Sequence, residues 1–120
     1  MITIRPETEN NMLVVEASHK LTARDYEDTF IPRLDELIQQ YKRIRVVIYF
    51  NDSFDGVELG AMWEDAKFAL KHKENFERFA IVGGPQWMTW MTKFGSHFMP
   101  GEFKIFDATA LPEAISWAKQ

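Results

Sequence analysis

Apolar residues switch between strand-like runs and helix-like spacing along the whole chain of 120 residues. Short apolar runs bounded by polar turns predict strands. These runs are Ile2–Arg5, Met12–Ala17, Arg45–Phe50, Phe79–Val82 and Phe103–Phe106. The first two are separated by a short polar turn, which predicts an antiparallel hairpin. Arg45–Phe50 shows no clean alternation, as is typical of strands buried on both faces, so we take it as the central strand.

Apolar positions at helical spacing predict a helix after each later turn. The first helix begins at Thr22, whose hydroxyl can cap the amide of Asp25, and it extends to Tyr41. Pro32 lies inside this helix and predicts a kink or break near Ile31, because proline lacks an amide hydrogen. The second helix is predicted at Leu59–Leu70 with Asp55 and Glu58 as a capping pair. The third has Pro85 in its first turn, runs through Trp87 to about Phe94 and ends at Gly95, and the last is predicted at Leu111–Ala118 with Asp107 or Thr109 as the cap.

The resulting order, ββαβαβαβα, predicts an α/β fold. Parallel β-α-β crossovers combined with an opening hairpin give a mixed, mostly parallel sheet of about five strands with about four helices. The length leaves room for a single domain spanning residues 1–120.

Composition and charge exclude several classes of function. The chain has no cysteine, which excludes disulfides, thiolate metal sites and cysteine nucleophiles. Its formal net charge of −4 opposes binding to nucleic acid. No signal peptide is visible, and no apolar stretch approaches the roughly 20 residues that span a bilayer. We therefore expect a cytoplasmic protein that neither binds nucleic acid nor inserts stably into a membrane.

Residues in four stretches carry a resemblance to a known family. They are Leu21–Tyr26, Leu59–Lys67, Arg78–Gly83 with Gln86 and Trp87, and Phe103–Phe106 with Glu113 and Ala114. In this order the chain resembles the SpoIIAA-like branch of the STAS family, whose prototype is the bacterial anti-sigma-factor antagonist SpoIIAA. The resemblance implies a SpoIIAA-like (STAS-type) fold over nearly the whole chain. That fold is also similar to lipid-binding domains of the CRAL-TRIO type, which implies an apolar ligand as one alternative.

The resemblance also implies a candidate phosphosite at Ser53. In STAS regulators, phosphorylation of a serine after the central strand releases a partner, and the pair Asp52-Ser53 matches that serine in position. The following Phe54-Asp55 departs from the small residues of the regulators. A helix N-terminus near Ser53 would favour the phosphate, whereas Asp52 and Asp55 would oppose it. The alternative is that Ser53 and Asp55 simply form the turn and cap the next helix.

Nothing in the sequence indicates a catalytic or metal site. The acids Asp52, Asp55 and Glu58 lack the density of a calcium loop. The histidines at positions 19, 72 and 97 lack ligand spacing. There is no nucleophile elbow, phosphate-binding loop or dinucleotide fingerprint. We predict a non-enzymatic protein without catalytic residues, metal or cofactor.

The predicted third helix has more apolar residues than it needs to cover one face of a sheet. Its surplus predicts a thick core, a homodimer face or a pocket for an apolar small molecule. A pocket in such a fold lies at the carboxyl ends of the strands. The predicted ligand- or partner-binding residues are therefore Asp52, Ser53, Phe54, Gly84, Gln86, Trp87, Trp90, Met91, Phe94 and Phe98.

Three functions follow, in order of preference. The first is a non-enzymatic binding or regulatory domain acting through a protein partner or as a homodimer. The second is a carrier or sensor of a lipid-like small molecule, and the third is a switch operated by phosphorylation of Ser53.

Overall fold

A computed structural model describes residues 1–61, 67–68, 71–84 and 101–120. Its framework is a five-stranded sheet with the order β1-β2-β4-β6-β7, and a separate pair is formed by β3 and β5. The strands are β1 (Ile2–Ile4), β2 (Met12–Ala17), β3 (Lys20–Leu21), β4 (Ile44–Phe50), β5 (Gly56–Val57), β6 (Phe76–Val82) and β7 (Glu102–Phe106).

Strand directions match the predicted mixed sheet. β1 pairs antiparallel with β2, and the other neighbours in the sheet pair parallel. The predicted hairpin and the central place of β4 are therefore confirmed. Because the parallel strands share one direction, their carboxyl ends lie at one edge of the sheet. We call this edge the carboxyl edge.

Both faces of the central strands are buried. One face carries Leu13, Val15, Val46 and Ile48 in the larger apolar cluster. The opposite face belongs to a second cluster, formed by Met12, Val14, Val47, Ala80, Val82, Ala114 and Ala118. Alternate residues of one strand thus enter two cores, which explains why β2 and β4 are apolar without alternation.

The first helix begins at the predicted cap. Helix α1 (Ala23–Asp25) is preceded by Thr22, whose hydroxyl accepts a hydrogen bond from the Asp25 amide at 3.2 Å. The Asp25 carboxylate in turn accepts from the Thr22 amide at 2.9 Å. This reciprocal capping box satisfies two backbone donors that would otherwise lack partners.

The proline inside this helix is accommodated by a change in helix type. A π-helical turn at Tyr26–Phe30 lies between α1 and α2 (Ile31–Tyr41), with Pro32 in the first turn of α2. The Ile31 amide bonds to the Tyr26 carbonyl, five residues back. The wider turn makes room for a residue that cannot donate its own backbone hydrogen bond. The irregularity predicted near Ile31 therefore takes the form of a π-helical turn.

Two arginines from the sheet hold the end of helix α3 (Leu111–Lys119). Arg45 Nη1 donates to the Ala118 carbonyl at 2.8 Å, and Arg78 Nη1 donates to the Trp117 carbonyl at 2.5 Å. The last carbonyls of a helix lack partners within the helix and carry partial negative charge, so these cations stabilise its end.

Two predicted caps are wrong. Helix α3 is preceded by Ala110 without a side-chain cap, because the Asp107 carboxylate instead accepts from the Thr109 hydroxyl at 2.7 Å. Helical residues at 59–61 and 67–68 agree with the predicted second helix, but β5 separates them from Asp55. The predicted third helix and its end at Gly95 lie outside the described residues. Within the described part of the chain, no helix is long and apolar enough to cross a membrane.

Candidate functional site

An open cleft of about 450 Å³ lies at the carboxyl edge of the sheet. The loops that follow β4 and β6 form it, together with the turn that follows β7. The described residues lining the cleft are Phe50, Asn51, Asp52, Phe54, Asp55, Gly56, Gly84 and Ala108. Its volume falls within the range of about 300–1,000 Å³ that is usual for ligand sites.

Asn51 organises the loop on one side of the cleft. Its side-chain oxygen accepts from the Ser53 amide at 2.9 Å, and its carbonyl accepts from the Phe54 amide at 3.0 Å. Its side-chain nitrogen donates to Glu16 Oε2 at 2.7 Å. Because one side chain bonds both the loop and strand β2, the loop is held in a fixed position against the sheet.

Glu16 is held in turn by an ion-pair network. Arg5 pairs with Glu16 and also forms two hydrogen bonds of 3.0 Å with the Glu7 carboxylate. The hydrogen bond from Arg5 holds the pKa of Glu7 below its usual value, and these carboxylates raise the pKa of Arg5. The network thus connects Arg5, directly after β1, through Glu16 to Asn51 in the cleft lining.

Two aromatic rings provide the apolar surface of the cleft. The rings of Phe50 and Phe54 meet edge to face, with their centroids 4.6 Å apart. Phe50 is buried at the end of β4, and Phe54 is half-buried in the loop. The pair fixes Phe54 in an orientation that leaves part of its ring accessible.

Glycines allow the second side of the cleft to approach the first. Gly83 has φ 77°, and a Cβ atom at that position would lie 3.0 Å from the Phe50 carbonyl oxygen and 3.3 Å from the Ala108 Cβ. Gly84 follows with φ 90°. Positive φ and close packing both favour glycine here, so the sequence Gly83-Gly84 shapes the turn after β6.

The described rim of the cleft is acidic. Asp52 and Asp55 are exposed in its lining, and Asp107 precedes the lining residue Ala108. Hydrogen bonds from the Thr109 hydroxyl and amide hold the pKa of Asp107 below its usual value. The described lining contains no lysine, arginine or histidine. The described lining of the cleft therefore favours cations over anions.

Comparison with known proteins identifies the family. A family model described as SpoIIAA-like matches residues 12–119. The chain belongs to the SpoIIAA-like family. A similar solved structure is the crystal structure of an uncharacterized protein from the DUF3478 family with a SpoIIAA-like fold, from Shewanella loihica PV-4. It shares 35% sequence identity at a TM-score of 0.76, covering 98% of this chain and 93% of that chain. No curated protein matches the chain.

The comparisons confirm the family and fold class predicted from the sequence. The SpoIIAA-like structure in turn places three of the predicted binding residues, Asp52, Phe54 and Gly84, in the lining of one cleft. Ser53 is exposed in the same loop but is not among the described lining residues. The other predicted binding residues lie outside the described part of the chain: Gln86, Trp87, Trp90, Met91, Phe94 and Phe98.

Five lining residues of the SpoIIAA-like cleft were missed in the sequence: Phe50, Asn51, Asp55, Gly56 and Ala108. Asp55 was predicted to cap the next helix instead. Phe50 and Asn51 had a usable signal, since they occupy the last position of the central strand and the first position beyond it. Gly56 had no such signal. It enters the cleft because β5 pairs with β3, a contact between two-residue strands that no apolar pattern predicts.

Proposed function

We propose that this SpoIIAA-like chain is a non-enzymatic regulatory domain that binds a protein partner at the carboxyl edge of its sheet. The observation that carries the proposal is the cleft, whose aromatic surface and acidic rim are presented on loops held firmly against the sheet. Membership of the SpoIIAA-like family supports a regulatory role.

The chemistry of the cleft suits binding better than catalysis. Asp52 and Asp55 are exposed to solvent. General acids and bases act most effectively where water is excluded and neighbouring groups shift their ionisation. Exposed carboxylates beside an accessible aromatic ring are instead typical of a surface that recognises another molecule.

Photo-crosslinking tests where a partner binds. The photoreactive amino acid p-benzoylphenylalanine replaces Phe54 in the cleft or, as the control, Tyr41, which is 39% exposed at the end of α2. Both changes exchange one aromatic side chain for another. We expect irradiation of cells to give a discrete protein adduct at position 54 that is absent at position 41, and mass spectrometry of the adduct identifies the protein.

The same variants separate a foreign partner from a second copy of the chain. An adduct that also forms with the purified protein contains a second copy. An adduct that forms only in cells contains another protein. Equal adducts at both positions, or none at position 54, would contradict binding at the cleft.

A lipid-like small molecule is the second candidate ligand. The volume of the cleft favours it, because about 450 Å³ accommodates a small molecule. The exposed carboxylates of Asp52 and Asp55 disfavour a fatty acid or an anionic phospholipid, whose headgroup is itself negative. Native mass spectrometry of protein purified without detergent distinguishes the cases, since a carrier retains added mass and a protein-binding domain gives the mass of the bare chain.

Phosphorylation of Ser53 is the third candidate. The side chain is exposed, so a kinase can reach it, and its amide is held by Asn51. The loop does not lead directly into a helix, because β5 intervenes. Ser53 is therefore not followed directly by a helix N-terminus that would stabilise a phosphate, while the charges of Asp52 and Asp55 oppose one. Phosphopeptide mass spectrometry across growth conditions tests this role, and an unmodified Ser53 in all of them rules it out.

A further inference from the structure

We infer that the cleft at the carboxyl edge receives an arginine-bearing segment of the partner protein. This inference rests on the proposed function and names the chemistry of the partner. Two exposed carboxylates, Asp52 and Asp55, stand beside the rings of Phe50 and Phe54, and no cationic side chain belongs to the described lining. Carboxylates and aromatic rings are the two kinds of group that a guanidinium binds best.

The small number of acids in the cleft favours a multidonor organic cation over a metal ion. Within the described residues, no group of three or more histidine, cysteine or acidic side chains is placed to hold a metal ion. Two carboxylates suit a guanidinium, which carries five N–H donors in a planar fork and can bond two carboxylates at once. Its flat face can meanwhile stack on the accessible part of the Phe54 ring.

A protein segment fits the surroundings better than an isolated small cation. Leu59, three positions after the lining residue Gly56, is 83% exposed, more than any other large apolar side chain among the described residues. A peptide that places arginine in the cleft extends beyond it in both directions, and apolar neighbours of that arginine can then cover Leu59. A free amine or guanidine leaves Leu59 in water.

Nuclear magnetic resonance with a matched pair of peptides tests the inference. The probes are acetyl-Gly-Leu-Arg-Leu-Gly-amide and the same peptide with citrulline, a neutral side chain of nearly equal shape, in place of arginine. They are titrated into the full ¹⁵N-labelled chain. We expect the arginine peptide to shift the amide signals of residues 51–56 and 83–84, and to bind about fivefold more tightly than the citrulline peptide.

Charge variants locate the effect. The double variant Asp52→Asn/Asp55→Asn should weaken binding of the arginine peptide by about fivefold, because two exposed ion pairs are lost. The control is Glu36→Gln/Glu74→Gln, which makes the same change in net charge at two exposed positions outside the cleft lining, one within α2 and one two residues before β6. The control should bind the arginine peptide as the unchanged protein does.

Each alternative result separates this inference from the function on which it rests. Equal binding of both peptides at the cleft would overturn the preference for a cation and leave binding at the cleft intact. A partner crosslinked at position 54, together with no amide shifts on adding the arginine peptide, would likewise overturn the preference for a cation and leave binding at the cleft intact. Acetyl-arginine-amide binding as tightly as the pentapeptide would overturn the role of a protein segment.

Discussion

The carboxylate of Asp25 stabilises the start of the first helix through two separate contacts. It accepts from the Thr22 amide at 2.9 Å and lies 3.2 Å from the α-ammonium of Met1. Burial raises the pKa of Asp25, but hydrogen bonds from Thr22 and the ammonium group outweigh burial, so the pKa lies below its usual 3.8. A carboxylate with a lowered pKa stabilises the fold above that usual value and loses its contribution as pH falls through the lowered pKa.

The variant Asp25→Asn removes this charge. We expect a loss of about 1 kcal/mol at neutral pH, seen as a Tm lower by about 4 °C. The difference from the unchanged protein should be constant from neutral pH down to near the usual pKa of 3.8 and should narrow as pH falls below it, because the carboxylate of the unfolded chain then takes up a proton before the native one does. Thermal melts of both proteins across this pH range measure the difference in Tm.

Asp28→Asn is the matched control. The Asp28 side chain is 69% exposed and only reaches Arg24 at 4.0 Å, so its loss should leave Tm nearly unchanged at every pH. A Tm deficit in Asp25→Asn that stays constant with pH would show that its charge does not stabilise the helix.

At the scale of elements, the entry into edge strand β7 depends on Gly101. A Cβ atom at this position would lie 2.1 Å from the Phe76 carbonyl oxygen and 2.9 Å from that of Glu77. These contacts are with backbone atoms, which cannot rotate away as a side chain can. The pairing of β7 with β6, which begins at Glu102 and Arg78, therefore requires glycine just before it.

We expect Gly101→Ala to lower the free energy of unfolding by at least about 3 kcal/mol, because β7 must move away from β6. Urea unfolding measures the loss. Gly60→Ala is the control, since its Cβ would meet only the Ala23 Cβ at 3.2 Å in a helical segment that favours alanine. Similar unfolding midpoints for the two variants would show that the β7 junction tolerates a side chain.

At the scale of the whole molecule, the homodimer remains a prediction from the apolar surplus of residues 86–98. An apolar surplus on the predicted third helix can be buried across a two-fold axis. We expect light scattering at micromolar concentration to give twice the mass of one chain. Variants Trp87→Ala and Trp90→Ala serve to locate the interface, and a strictly monomeric unchanged protein would contradict the dimer.

The sequence predicted the features that depend on neighbours along the chain. The Thr22 cap and the bounds of β2 were readable because capping residues and apolar runs are local signals. The carboxyl edge was readable as well, from strand direction alone. The contacts that the sequence did not predict are non-local. Asn51 forms a hydrogen bond with Glu16 across 35 positions, and β3 pairs with β5 although neither strand has an alternating apolar pattern. Such contacts depend on how the whole fold brings loops together.

The arginines at the end of α3 also bear on how the protein is made. The Ala118 carbonyl accepts its hydrogen bond from an arginine 73 residues earlier in the chain. During synthesis, the central strand therefore emerges long before the helix that covers its second face. Until residue 118 is free of the ribosome, Val14, Val47 and Ala80 lack their cover from α3. The nascent chain consequently passes through a stage with its second, smaller apolar cluster exposed, when aggregation and chaperone binding compete with folding.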